Sequence, residues 1–121
     1  MPEPLKIPPF LVHWETGAVV FRFDPEALKR GEAYPPDLEG LLAEAVAQRA
    51  AELAAREIVI DLERLSAISS MQLSAMLAVR RACRKDGQVR IRNLRPNVRE
   101  LLNIAKLGDF FTWDSPKTTR I

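Results

Sequence analysis

Cysteine and histidine are nearly absent from this chain. Cys83 stands alone and cannot form an internal disulfide, so a reducing cytoplasmic setting is the expectation. His13 is the only histidine and lies far from Cys83 in sequence, so no metal-ligand set is expected. No apolar run approaches the roughly 20 residues of a membrane span. The opening "MPEPLKIPPF" has no basic segment followed by an apolar one, so no secretory signal is expected. Glycine is scarce and scattered, without G-x-G-x-x-G after a strand or G-x-x-x-x-G-K-[ST], which removes support for dinucleotide and P-loop sites. No G-x-S-x-G elbow surrounds Ser69 or Ser70. His13 falls in a predicted strand beside Trp14, where a structural role outweighs a general base. The expectation is a binding protein without cofactor, not an enzyme.

Charge is unevenly spread. The formal net charge is +2, yet residues 1–79 carry 7 Lys+Arg against 12 Asp+Glu, and residues 80–121 carry 11 against 4. The basic half centres on Arg80, Arg81, Arg84, Lys85, Arg90, Arg92, Arg95 and Arg99. Such a cluster reads either as a surface for an acidic partner or phosphate, or as the solvated faces of a helix, a strand and a loop. It lacks the interleaved aromatics of a single-strand binder, so nucleic acid is not the expected partner.

Periodicity orders the chain. "FLVHWE", a "TG" turn and "AVVFRF" read as a hairpin whose Val19, Phe21 and Phe23 share an apolar face. Asp24 before Pro25 is placed to cap a short helical turn, and Asp37 follows Pro35-Pro36 as the N-cap of the next element. Residues 38–56 predict a helix, with Leu38, Leu41, Leu42, Ala45, Val46, Arg49 and Leu53 along one stripe and Gly40 inside it. "IVID", 58–61, is short, β-branched and unbroken, as in a central strand buried on both faces; its closing Asp61 can hydrogen-bond the loop that follows. A second helix spans about 70–85, with Leu73, Met76, Leu77 and Ala78 inward and Arg80, Arg81 and Arg84 outward. "QVRIRNL" alternates as a strand. A third helix starts near Pro96 and ends with Gly108 at the C′ position. "DFFTW" is a last short strand. Strand–helix alternation of this kind implies a partly parallel α/β sheet.

At the junction "SAISSMQLS", a strand exit meets a helix start, and either Ser69 or Ser70 can cap the helix. One cap does not require two serines. "EIVIDLERLSAISSMQLSAML" resembles the centre of STAS domains, the family shared by sulfate transporters and bacterial anti-sigma factor antagonists. That family's pattern is an apolar strand ending in Asp-Leu, a loop, and Asp-Ser-Ser-Gly-Leu opening a helix. In this register Ser69 stands for the Asp, Ser70 for the hydroxyl that a partner kinase phosphorylates, Met71 for the second hydroxyl residue and Gln72 for the Gly. "RACRKDGQVRIRNLRPNVRELLNIAKLGDFFTW" follows the later family pattern, and "RGEAYPPDLEGLL" resembles its segment before the first long helix.

The length predicts a single domain over 1–121, with the Pro-rich 1–10 an extended lead-in and 114–121 a loose tail, and the resemblance covers most of residues 11–113. The resemblance implies a mixed sheet of about four to five strands packed with about three to four helices. It further implies a cytoplasmic bacterial regulator of transcription that binds an anti-sigma factor or serine-kinase-like protein and releases it when Ser70, ahead of Ser69, is phosphorylated. Ser69, Met71, Gln72, Arg80, Arg81 and Arg84 are then the partner-binding residues. The alternative is a constitutive interaction subunit of a signalling scaffold or membrane-associated transporter complex, docked through the basic helix. A third use of the charge, anion or nucleic-acid binding, would fall to Arg90, Arg92 and Arg95.

Overall fold

The computed structural model describes residues 5–7, 9–26, 37–48, 57–63, 65, 67–83, 89–107 and 110–113. Six strands form one sheet in chain order: β1 (Leu5–Ile7), β2 (Phe10–Glu15), β3 (Ala18–Phe23), β4 (Glu57–Asp61), β5 (Val89–Arg92) and β6 (Phe111–Trp113). The first three pair antiparallel, and β3 to β6 run parallel. The described helices are α1 (Leu38–Gln48), α2 (Ser70–Cys83) and α3 (Pro96–Ile104). The strand count exceeds the expected four to five because the lead-in contributes β1. Three residues are too short for a sequence period, and what makes them a strand is pairing with β2 across the prolines. Arg49, Leu53, Arg84, Lys85, Gly108 and the 114–121 tail lie outside the described residues.

The hairpin forms as its period-two pattern requires, with Phe10 facing Phe23 and Val12 facing Phe21. Its turn uses Gly17 at φ 78°, a conformation that side chains resist. The Gly17 carbonyl then accepts the Glu57 N–H at 2.8 Å, tying the turn to the start of β4. Phe10 stacks edge-on against Phe21, with centroids 5.6 Å apart, and leans on Phe23 at 4.8 Å. Ile58, Val59 and Ile60 of β4 are all buried, as a central strand covered on both faces should be.

Parallel strands added in one direction place their crossover helices on one face. The core follows this rule: Val19, Phe21, Ile58, Ile60, Val89 and Ile91 pack with Leu42, Met76, Val79, Val98 and Leu102. The buried stripe of α2 is Ala75, Met76, Ala78 and Val79, while the expected Leu73 and Leu77 are only partly buried at its edge. Leu41, expected on the α1 stripe, is exposed, whereas Leu38 and Leu42 are buried. The Asp37 carbonyl accepts the first bond of α1 from Leu41 N–H at 3.0 Å, and its carboxylate lies where a side chain at position 40 would go. Gly40 inside the helix leaves that room. At the end of α3, Lys106 rather than Gly108 takes the left-handed C′ position, with φ 60°. Lys106 N–H donates to the Asn103 carbonyl and Leu107 N–H to the Leu102 carbonyl, both at 3.0 Å, a Schellman closure that also buries Leu107.

The opposite sheet face carries charge, and no described helix packs on it. Glu15 shares a row with Ala18 and Glu57, and Arg92 shares one with Arg22 and Asp61, four residues further along and three strands across. On a flat sheet that diagonal would be about 20 Å. Twist and coil bring its ends together, and Arg92 donates to both Glu15 oxygens at 3.1 and 3.3 Å. The midpoint of the diagonal falls on Val20 and Val59. Both are 0% exposed although they lie on the face away from the helices.

Candidate functional site

The junction is built from β4 outward. Leu62 N–H donates to the Arg92 carbonyl at 3.0 Å and Leu65 N–H to the Leu62 carbonyl at 2.9 Å, while both leucine side chains enter the core. Ile68 is partly buried against that core and Ser69 follows in solvent. The Ser69 hydroxyl accepts the Gln72 N–H at 3.1 Å, and the Gln72 side-chain oxygen accepts the Ser69 N–H at 2.8 Å. This is a reciprocal capping box, in which two otherwise unpaired amides at the helix start are satisfied. The two positions that depart from the Asp and Gly of the resembled motif therefore serve one another.

That assignment separates the serines. Ser69 is occupied as the cap. Ser70 is the first residue of α2, exposed, and its hydroxyl makes no hydrogen bond among the described residues. Met71 beside it is 49% exposed, a large apolar side chain set in water next to the exposed Ser70. The first turn of α2 holds no acidic residue, and Arg80 and Arg81 lie in its last turn, both favourable to the helix dipole.

The basic candidates sit elsewhere. Arg80 and Arg81 are about 15 Å along α2 from Ser70, so the structure does not bring them to the serines. Arg81 bonds Glu39 of α1 at 2.8 Å, and Arg80 lies over the Phe110 ring, 4.9 Å from its centroid. On the charged sheet face Arg90 pairs with Glu57 at 3.3 Å. Arg92 is shared between Glu15 and Asp61, and Arg95 donates to the Glu63 carbonyl at 3.0 Å. Arg90, Arg92 and Arg95 are thus spread among separate protein partners and do not converge on a ligand site. His13 stands mid-strand in β2, with Nε2 shut off from solvent and without a hydrogen-bond partner among the described residues.

Asp61 is the polar centre of this region, with its side chain fully buried. It accepts from Arg22 at 3.1 Å, from Arg92 Nη2 at 3.0 Å, from the Asn93 amide at 3.0 Å and from the Glu63 N–H at 2.9 Å. Burial alone would raise its pKa. The bonds from Asn93, Glu63, Arg92 and Arg22 outweigh burial and hold the carboxyl below its ordinary value. Glu15 is lowered as well, chiefly by its bond to Arg92, and Arg92 is raised in return, chiefly by Glu15. Asp61's loop contact was readable from sequence. Its partners Arg22, Arg92 and Asn93 were not, since they lie 39, 31 and 32 residues away.

The fold and junction define a small α/β domain with a mixed sheet and an exposed serine at the helix start after its central strand. The family model of the STAS domain matches residues 36–119, and the chain belongs to the STAS family. The fold is anti-sigma factor antagonist-like in this general sense, and domains of this family mediate protein interactions. No curated protein matches the chain significantly. Among the described residues, no helix is long and apolar enough to cross a membrane.

Proposed function

We propose that this protein is a phosphorylation-controlled binding protein of the anti-sigma factor antagonist type, without catalytic activity of its own. It docks a partner through the Ser69–Gln72 junction and releases it when Ser70 is phosphorylated. The observation that carries this reading is the division of labour between the serines: Ser69 is committed to the cap, while Ser70 is exposed beside Met71. A phosphate there adds about −1.5 to −2 charge. At a helix N-terminus with no acid in the first turn it is tolerated by the fold, with roughly 0.3–1 kcal/mol of favourable dipole interaction. Under a docked partner the same dianion is stripped of water, and several kcal/mol of desolvation opposes binding. About 3 kcal/mol already weakens a complex roughly a hundredfold. The switch therefore acts on the interface and spares the domain.

Constitutive docking through the basic helix has less support, because Arg81 is paired with Glu39 and Arg80 is laid on Phe110. Phosphopeptide mapping of the protein from stressed and unstressed host cells tests the switch. A phosphate on Ser70 whose occupancy changes between the two, with a partner retained by Ser70→Ala and lost by Ser70→Asp, supports it. A Ser70 unmodified in both states, with a partner lost only on Arg81→Glu, overturns it in favour of a constitutive subunit.

A further inference from the structure

The capping box is internal to α2 and its immediate lead. It does not attach the junction to the sheet. Beside the Leu62 and Leu65 contacts, the root of the loop is attached through both backbone groups of Glu63. Glu63 N–H donates to Asp61 Oδ1 at 2.9 Å, and the Glu63 carbonyl accepts from Arg95 Nη2 at 3.0 Å. Asn93 joins the same Asp61 oxygen at 3.0 Å. The other oxygen of Asp61 is taken by Arg22 and Arg92, so the carboxylate bonds the loop on one side and β3 and β5 on the other. Asn93 holds φ 59°, a left-handed conformation that asparagine adopts more readily than most side chains, and from it the amide donates to Asp61.

We infer that Asp61, Asn93 and Arg95 are positioning residues for the Ser69–Ser70 junction. They fix where the loop leaves β4, and with it the place at which Ser70 and Met71 meet a partner. The inference rests on the reading of the junction as the docking surface. A loop already held in its binding geometry avoids the cost of being ordered on association. Loosening the clamp therefore weakens docking without removing any residue that touches the partner. Glu63 also connects the root of the loop to the charged sheet face, since Asp61, which accepts its N–H, shares Arg92 with Glu15.

The test is the double variant Asn93→Gly, Arg95→Ala. Glycine keeps the left-handed backbone at 93, and Arg95 is exposed, so the fold is retained. Amide hydrogen exchange is followed by NMR at Glu63 and Leu65, with Ile60 and Met76 as references in β4 and α2. The expected result is exchange roughly tenfold or more faster at the loop amides, with a smaller rise at the references and a lower melting temperature, because Asn93→Gly also removes a hydrogen bond to the buried Asp61. Loop exchange equal to wild type overturns the inference. So does a rise shared equally by Ile60 and Met76, which would mean general destabilisation. Exchange is read on the isolated protein, so its outcome is independent of whether Ser70 proves to be phosphorylated. An unmodified Ser70 overturns the switch and leaves the clamp result standing.

Discussion

Two neighbouring serines with different bonding should respond differently to the same substitution. Ser69→Ala removes the hydroxyl that accepts the Gln72 N–H, while the backbone N–H at 69 keeps its bond to the Gln72 side chain. Loss of such a cap costs about 0.5–2 kcal/mol, typically near 1. At roughly 2.1 cal/mol/K of unfolding entropy per residue, 1 kcal/mol in a chain of 121 residues lowers Tm by about 4 °C. Ser70→Ala removes a hydroxyl that bonds nothing among the described residues and places a better helix former at an exposed first-turn position. Its expected effect is within about 0.5 kcal/mol of zero. The assay is thermal and urea denaturation of both variants, with Gln72→Ala and Ser69→Ala/Gln72→Ala completing a double-mutant cycle. The box predicts that the double variant loses less than the sum of the singles, by about 0.5 kcal/mol or more. Equal losses for Ser69→Ala and Ser70→Ala would refute the division of labour on which the functional reading stands, whereas strict additivity of 69 with 72 would mean only that the two bonds of the box act independently.

Acid should unfold the protein partly through Asp61. Its folded carboxyl pKa is depressed, and so is that of Glu15. The stability they contribute is complete above the ordinary carboxylate values near pH 4 and is lost as pH falls through the lower folded values. Tm should stay level from about pH 7 to 5 and decline below about 4, with a smaller decline in Asp61→Asn; an unchanged acid profile in that variant would assign the loss elsewhere. Lys106→Gly should stabilise by about 0.5–1 kcal/mol, because glycine suits the C′ conformation at φ 60°, and a lower urea midpoint would contradict the Schellman assignment. Breaking the exposed Arg81–Glu39 pair with Arg81→Ala should change stability by less than about 1 kcal/mol, as checked by the same urea titration.

The chain's local patterns were sufficient for most elements. The hairpin followed from period two across "FLVHWE" and "AVVFRF", the central strand from the unbroken "IVID", α2 from helical spacing and α3 from Pro96 at its start, because each of these signals is a property of nearby residues. The capping box was equally local, a serine and a glutamine three residues apart, with Gln72 standing where the resembled motif has Gly. Other features depended on residues far apart in sequence. The strand β1 exists because β2 is beside it. The basic residues of 80–95 read either as one surface or as solvated faces of separate elements, and folding gave Arg80, Arg81, Arg90, Arg92 and Arg95 separate partners in Phe110, Glu39, Glu57, Glu15 with Asp61, and the Glu63 carbonyl. Sequence alone determined the order of the elements and the exposed serine at a helix start, since backbone periodicity and caps are short-range. Only the tertiary structure decided which charges are spent and how the junction is held, because a guanidinium has no preferred partner until the sheet's register and twist bring a carboxylate within reach.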